Sequence, residues 1–245
     1  MIAQLRQRLL ALQRAPGIKH GPGIQPLRIP AIDAVLGGGF IRGALHEIAA
    51  AGEAHLPAAA GFALGVARRS APSPRLFWIT EDMGLVESGA PHGAGLDAFG
   101  LEPERLVMVS AAHRRDLLWA MEEALRCRTN DAVIGEMRIG GIDSVAVRRL
   151  SLAAAESGAL ALLLRAAPPS DASTAATRWI VGAAPSVAAH GPDAPRFAAQ
   201  LVRNRRGPVG SWILEWSNSD EQLILTTHAQ PVAATAFDRS HRQVA

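Results

Sequence analysis

Residues 50–57 read Ala-Ala-Gly-Glu-Ala-His-Leu-Pro, and they join an apolar run, residues 44–49, to a helix-forming stretch from Pro57 to Ser70. Strand, loop and helix in that order are the frame of a phosphate cradle. The cradle itself needs Gly-x-x-x-x-Gly-Lys-[Ser/Thr]: glycines let backbone N–H groups close on the phosphates, lysine neutralises them, and the hydroxyl holds magnesium. Leu56 falls where the lysine belongs, and Pro57, which has no N–H, falls where the hydroxyl belongs. Ala50 and His55 stand at the two glycine positions, and among residues 50–57 only Gly52 survives as a flexible residue. The frame of an ATP site is predicted without its chemistry, so no cofactor is assigned. The eight histidines, among them His46, His55, His92 and His113, show no pair at metal-ligand spacing, and no metal is assigned. A single cysteine, Cys127, excludes an internal disulfide and a cysteine zinc site.

The second group with chemical potential is cationic. Arg203, Arg205 and Arg206 surround the turn at residues 205–210, and guanidinium groups so placed can bind phosphate in bidentate fashion. Arg178 joins them as a candidate for nucleic-acid or partner contact. A solvated turn whose arginines reflect base composition is the other reading, because Lys19 is the only lysine in an alanine-rich chain. Arg6, Arg8, Arg14, Lys19 and Arg28 all precede the first acidic residue, Asp33. This leading segment suits DNA or an acidic partner. Within it Ile2, Leu5, Leu9 and Leu12 recur at helical spacing, which predicts an amphipathic helix over residues 2–14 before a Pro/Gly tether. That helix either folds back on the core or docks on another protein.

The elements that must position these residues are legible from pattern. With 245 residues, 49% of them apolar, the chain can bury a full core. It lacks an apolar run long enough for a membrane span, and its N-terminus is a poor secretory signal, so a cytoplasmic location is expected. Apolar runs at residues 75–80, 105–110, 131–136 and 159–165 predict strands buried on both faces. Helices are predicted between them: one carries Leu117, Leu118, Met121 and Leu125, and another lies between an N-cap at Asp143 and a terminal glycine, Gly158. This alternation predicts an α/β fold with a mostly parallel sheet flanked by helices. Residues 166–177 read as a mobile loop. Antiparallel strands are predicted at 197–204, 211–216 and 222–227. Trp212, Leu214 and Trp216 alternate onto one face there, which makes the tryptophans core residues in preference to base-stacking platforms. The organisation predicted is a helix and tether over 1–25, a core over 26–228, and a flexible tail over 229–245.

The order of these pieces resembles the RecA-type core. Residues 27–47 resemble its opening, Phe77-Trp78-Ile79-Thr80-Glu81-Asp82 its catalytic-carboxylate strand, and Asp131 to Glu136 its magnesium-carboxylate strand, while Arg165 stands where RecA carries a nucleotide-sensing glutamine. With no lysine or hydroxyl opposite them, Glu81, Asp82 and Glu136 are read as strand-end acids and no catalytic residue is assigned. More narrowly, residues 176–179 (Ala-Thr-Arg-Trp) and 203–216 (Arg-Asn-Arg-Arg-Gly-Pro-Val-Gly-Ser-Trp-Ile-Leu-Glu-Trp) resemble the ImuA family, RecA-like accessory proteins of a bacterial SOS mutagenesis cassette. The resemblance implies a pseudo-ATPase adaptor in translesion DNA synthesis. It also implies as partners an inactive Y-family polymerase relative, an error-prone replicative-type polymerase and RecA, with weak DNA contact beside them. A nucleotide-binding regulator with an atypical loop and an SOS cell-division inhibitor are the alternative functions.

Overall fold

The computed structural model of the chain describes residues 23–127, 129–138, 140–170, 173–185 and 194–226. The predicted helix with Ile2, Leu5, Leu9 and Leu12, and the predicted tail, lie outside the described residues. A nine-stranded sheet organises the remainder. Its strands are β3 (Leu45–Ala50), β4 (Leu76–Glu81), β5 (Leu106–Ala111), β6 (Ala132–Met137), β7 (Leu160–Arg165), β8 (Thr177–Ala183), β9 (Arg196–Asn204), β10 (Gly210–Ser217) and β11 (Gln222–Leu225), in the order β11-β10-β9-β8-β3-β7-β6-β4-β5. The strands from β8 to β5 pair in parallel, and β8, β9, β10 and β11 continue antiparallel. A small ribbon of β1 (Ile24–Gln25) and β2 (Phe40–Ile41) brackets α1 (Pro30–Leu36). The mostly parallel sheet with antiparallel C-terminal strands is the predicted architecture.

The inner parallel strands form because they are buried on both sides, whereas β5, also predicted to be buried on both faces, is the edge strand and leaves Val107 exposed. Every residue of β3 and β7 is buried, and only apolar or paired side chains tolerate that. On one face lies α2 (Leu56–Arg68), packed across β3, β7 and β8, with the short α4 (Gly93–Ala98) beside it. On the other lie α5 (Arg114–Arg126) and α6 (Ser144–Ser157). The α6 limits follow the sequence: Asp143 Oδ1 accepts from Ala146 N at 2.7 Å, and Gly158 adopts φ 73° at the C-terminus. In the antiparallel part only one face is covered, so Trp179, Leu201, Leu214 and Trp216 are buried while Gln200 and Ser211 on the opposite face are exposed. The aromatic pile is continuous, with Phe40, Phe62 and Trp212 each within 5.8 Å of Trp179, ring centre to ring centre. Trp216 is a buried core residue that donates to Ala98 O at 2.7 Å, and the half-buried Trp212 packs against the core. Gly61 and Gly65 of α2 let this pile approach the helix, since a Cβ at Gly65 would come within 3.1 Å of Leu223 and 3.3 Å of Trp216.

The loop expected to run to Thr177 is shorter than predicted. Thr177 opens β8, Ser173 and Ala175 are buried, and Ala176 N donates to Leu45 O at 2.8 Å. The polar residues of this segment face buried polar partners instead of water. His46 is the main one: its Nδ1 meets Thr177 Oγ1 at 2.7 Å, and its Nε2 lies 3.0 Å from Ile41 O. Thr177 Oγ1 also accepts from Trp179 Nε1 at 3.0 Å. The consistent assignment is a neutral ring, Nε2–H donating to Ile41 O and Nδ1 accepting from Thr177. Burial pushes the His46 pKa down to about 4. The unfolded chain therefore takes up a proton between about pH 6.5 and pH 4 that the folded chain refuses, and stability falls as pH drops through that window. We predict a loss approaching about 3 kcal/mol from this residue across the window. Urea unfolding from pH 7 to 4 should show it, and His46→Gln should flatten that limb; an identical pH dependence in the variant would contradict the assignment.

Candidate functional site at the strand ends

The C-terminal ends of β3, β4 and β6 converge with the start of α2, the place where a doubly wound sheet holds its ligands. The loop after β3 is closed by its own hydrogen bonds. Ala51 N donates to Val181 O at 2.8 Å, and His55 N donates to Gly52 O at 2.8 Å to form a 3₁₀ turn over Glu53–His55. His55 Nδ1 accepts from Ala183 N at 3.1 Å. The loop thus lies against the end of β8, where Gly182 leaves room for Ala51 and the His55 ring. Gly52 has φ 176°, extended backbone that any residue adopts. Leu56 points into the core at 4% exposure, and Pro57 occupies the first turn of α2 without a donor. Ala50, the last residue of β3, is fully buried.

Opposite this loop stand the acids singled out from sequence, and the structure ties two of them to one residue, Arg138, one through its backbone and one through its guanidinium. Glu81 Oε2 accepts from Arg138 N at 3.0 Å. Glu136 accepts from Trp78 Nε1 at 2.9 Å, and its other oxygen lies 3.2 Å from Arg138 Nε. Arg138 is itself only 7% exposed in its side chain and reaches Ser88 Oγ and, at 3.9 Å, Glu87. Asp82 begins α3 (Asp82–Ser88), where a carboxylate complements the helix dipole. Sequence reading passed over Arg138, although the period of two along a strand already places it on the same side as Glu136. A cavity of about 370 Å³ lies between α2 and these residues, lined by Leu56, Ala60, Leu64, Trp78 and Phe99, with Glu136 and Arg138 at one end. A phosphate entering it would meet leucine, proline and a carboxylate, with the one guanidinium already paired. Among the described residues no cluster of His, Cys, Asp or Glu could hold a metal ion.

The arginines assigned to the hairpin region divide into two kinds. Arg178 is paired with the fully buried Glu47, Nε to Oε2 at 2.6 Å, and Glu47 Oε1 accepts from Ser173 Oγ at 2.5 Å. Its guanidinium is committed inside the fold, which takes it out of the set offered to DNA or a partner. Arg203 donates to Ser173 O and Arg205 to Thr174 O, the latter at 3.0 Å, so both clamp the end of the preceding loop. Arg206 packs over Gly37, at the C-terminus of α1, where its charge suits the helix dipole. Asn204 Nδ2 fixes the turn to Val35 O at 2.9 Å. Arg205 and Arg206 remain exposed despite these contacts.

No protein-family model matches the chain, and no curated protein matches its sequence. Solved structures do match, 435 chains of them. One is the crystal structure of the RadB recombinase, with a TM-score of 0.56 and 13% identity, covering 82% of this chain and 98% of that one. The likeness shows a RecA-like fold. No helix among the described residues is long and apolar enough to cross a membrane.

The buried Glu47–Arg178 pair generates a direct prediction. Arg178→Ala leaves Glu47 buried with only Ser173 as partner and should cost about 3–5 kcal/mol, whereas Arg206→Ala at the exposed turn should stay within about 0.5 kcal/mol. Chemical denaturation of the two variants checks this, and equal stabilities would contradict it.

Proposed function

We propose that the chain is a non-catalytic RecA-like adaptor in SOS-induced translesion DNA synthesis, a cytoplasmic pseudo-ATPase of the ImuA type. The observation that carries the non-catalytic part is the closed loop: Leu56 is buried in the core, Pro57 offers neither donor nor hydroxyl, and His55 spends its ring nitrogen on Ala183 N. Phosphoryl transfer depends on positioning and electrostatic stabilisation of the transferred group, and this loop supplies neither the lysine nor the hydroxyl that would serve them. Glu81 and Glu136 support the same reading, because acids held by Arg138 N–H groups or by Trp78 are poorly placed to activate water. The damage-response assignment rests on the resemblance of residues 176–179 and 203–216. The partners that follow are an inactive Y-family polymerase relative, an error-prone replicative-type polymerase and RecA.

The experiment is affinity capture of the tagged full chain at its native locus, before and after DNA damage. The proposal expects the two polymerase-type proteins to be enriched after damage, and reconstitution from purified components to reproduce the capture without nucleotide. Capture of cell-division proteins in their place, or an absolute requirement for ATP, would contradict it.

A further inference from the structure

Helix α6 presents an outward face that the fold does not use. Val145 is 66% exposed and Leu152 is 55% exposed. Seven residues separate them, so they project from one side of the helix about 10 Å apart. Arg148 lies between them on the same side and is exposed. A furrow of about 690 Å³ runs beside this face, walled by Thr174 and Arg205 on the far side and floored in part by Ser151. Ser151 donates internally to Val147 O at 2.8 Å, and Arg205 is braced by Thr174 O. The furrow therefore offers aliphatic groups between two guanidinium groups, with no carboxylate among its described lining residues.

The neighbouring furrow, between α5 and α6, makes a useful contrast. Its volume is about 660 Å³, and its arginines 114, 115 and 149 are set against Asp116, Glu122 and Asp143. Arg149 is paired with Glu122, which is itself buried. Charge there is balanced within the protein. On the α6–Arg205 side the described lining residues carry only positive charge, Arg148 and Arg205, which a partner's carboxylates would complement. The chain's own ends have the wrong sign for that role. Residues 1–28 carry five cationic side chains and no carboxylate, and residues 229–245 carry Asp238 against Arg239 and Arg242.

We infer that the α6–Arg205 furrow is a docking surface for an amphipathic helix of a partner protein, with aliphatic residues on its inner face and Asp or Glu along its edges. Aliphatic pairs at two-turn spacing accept the ridge of another helix, and flanking arginines fix its orientation through carboxylates. Nucleic acid would use the arginines but gain nothing from Val145 and Leu152, which favours protein. The α6 helix of 14 residues is about 21 Å long, enough to seat three to four turns of a partner helix. The inference goes beyond the adaptor reading by naming a surface and the chemistry of what it binds, and its test uses no polymerase, so the two can fail separately.

The test is fluorescence anisotropy of the full chain with two labelled peptides of about 14 residues, identical in their leucine stripe and carrying either glutamate or lysine on the flanks. The glutamate peptide should bind and the lysine peptide should not. The Val145→Glu/Leu152→Glu double variant should weaken the glutamate peptide at least tenfold. Arg148→Glu, an exposed single exchange that keeps the test in hand should the double variant unfold, should reverse the preference toward lysine. Equal binding of the two peptides, no binding of either, or full binding by both variants would overturn the inference. So would oligothymidine binding that the same variants abolish, or a dimer in sedimentation that they dissociate, since these assign the face to nucleic acid or to a second copy.

Discussion

The pairing of β3 with β8 is the constraint on which the rest of the structure depends. Two consecutive residues of the central strand, His46 and Glu47, are polar and fully buried, and they point to opposite faces. His46 is satisfied by Thr177 and Ile41, Glu47 by Arg178 and Ser173. All of these partners except Ile41 come from β8 or the segment leading into it. A one-residue slip of β8 would leave an unpaired charge on one face and an orphaned imidazole on the other, each expensive in a low-dielectric interior. The register is therefore specified by polar groups as well as by packing. It joins the parallel half of the sheet to its antiparallel extension, and it sets where the hairpin beyond β9 must lie.

The same seam accounts for the state of the loop after β3. In a phosphate cradle the backbone N–H groups are left pointing at the ligand. Here Ala51 N is taken up by Val181 O at the end of β8 and His55 N by Gly52 O within the loop, while Ala183 N of β8 donates to the His55 ring. Donors bonded in this way are not left for an anion. Leu56 then contributes to the core under α2 and gives the cavity beside it an apolar wall. The hairpin follows a related logic, since Arg203 and Arg205 satisfy the carbonyls of Ser173 and Thr174 and so hold the entry to β8 in place.

What was legible in the sequence, and what was not, separates along this line. The strands from Leu45 to Arg165 read clearly, because burial on both faces leaves continuous apolar runs in the inner ones, and the edge strand β5 has the same apolar character although Val107 is exposed. Helix α6 read clearly as well, because Asp143 and Gly158 mark its ends with local chemistry. No strand was predicted at β8, and its first residue, Thr177, was assigned to a loop, since Thr177 and Arg178 are polar and nothing local shows that their partners, His46 and Glu47, lie about 130 residues upstream. Helices α3 and α4 escaped notice because each is short and contains glycine. The absent lysine and hydroxyl were evident from residue types alone. The direction in which Arg178 and Arg203 point was not, because a guanidinium bonded to the fold and one bonded to DNA have the same sequence.

The central claim is that a RecA-like frame has become a binding scaffold whose phosphate loop is closed by its own hydrogen bonds. Calorimetric titration of magnesium-ATP into the purified full chain tests this most directly. The account predicts no saturable heat and no change in thermal stability at millimolar nucleotide. Micromolar binding that Gly52→Trp abolishes would contradict it, because the nucleotide would then be using this loop.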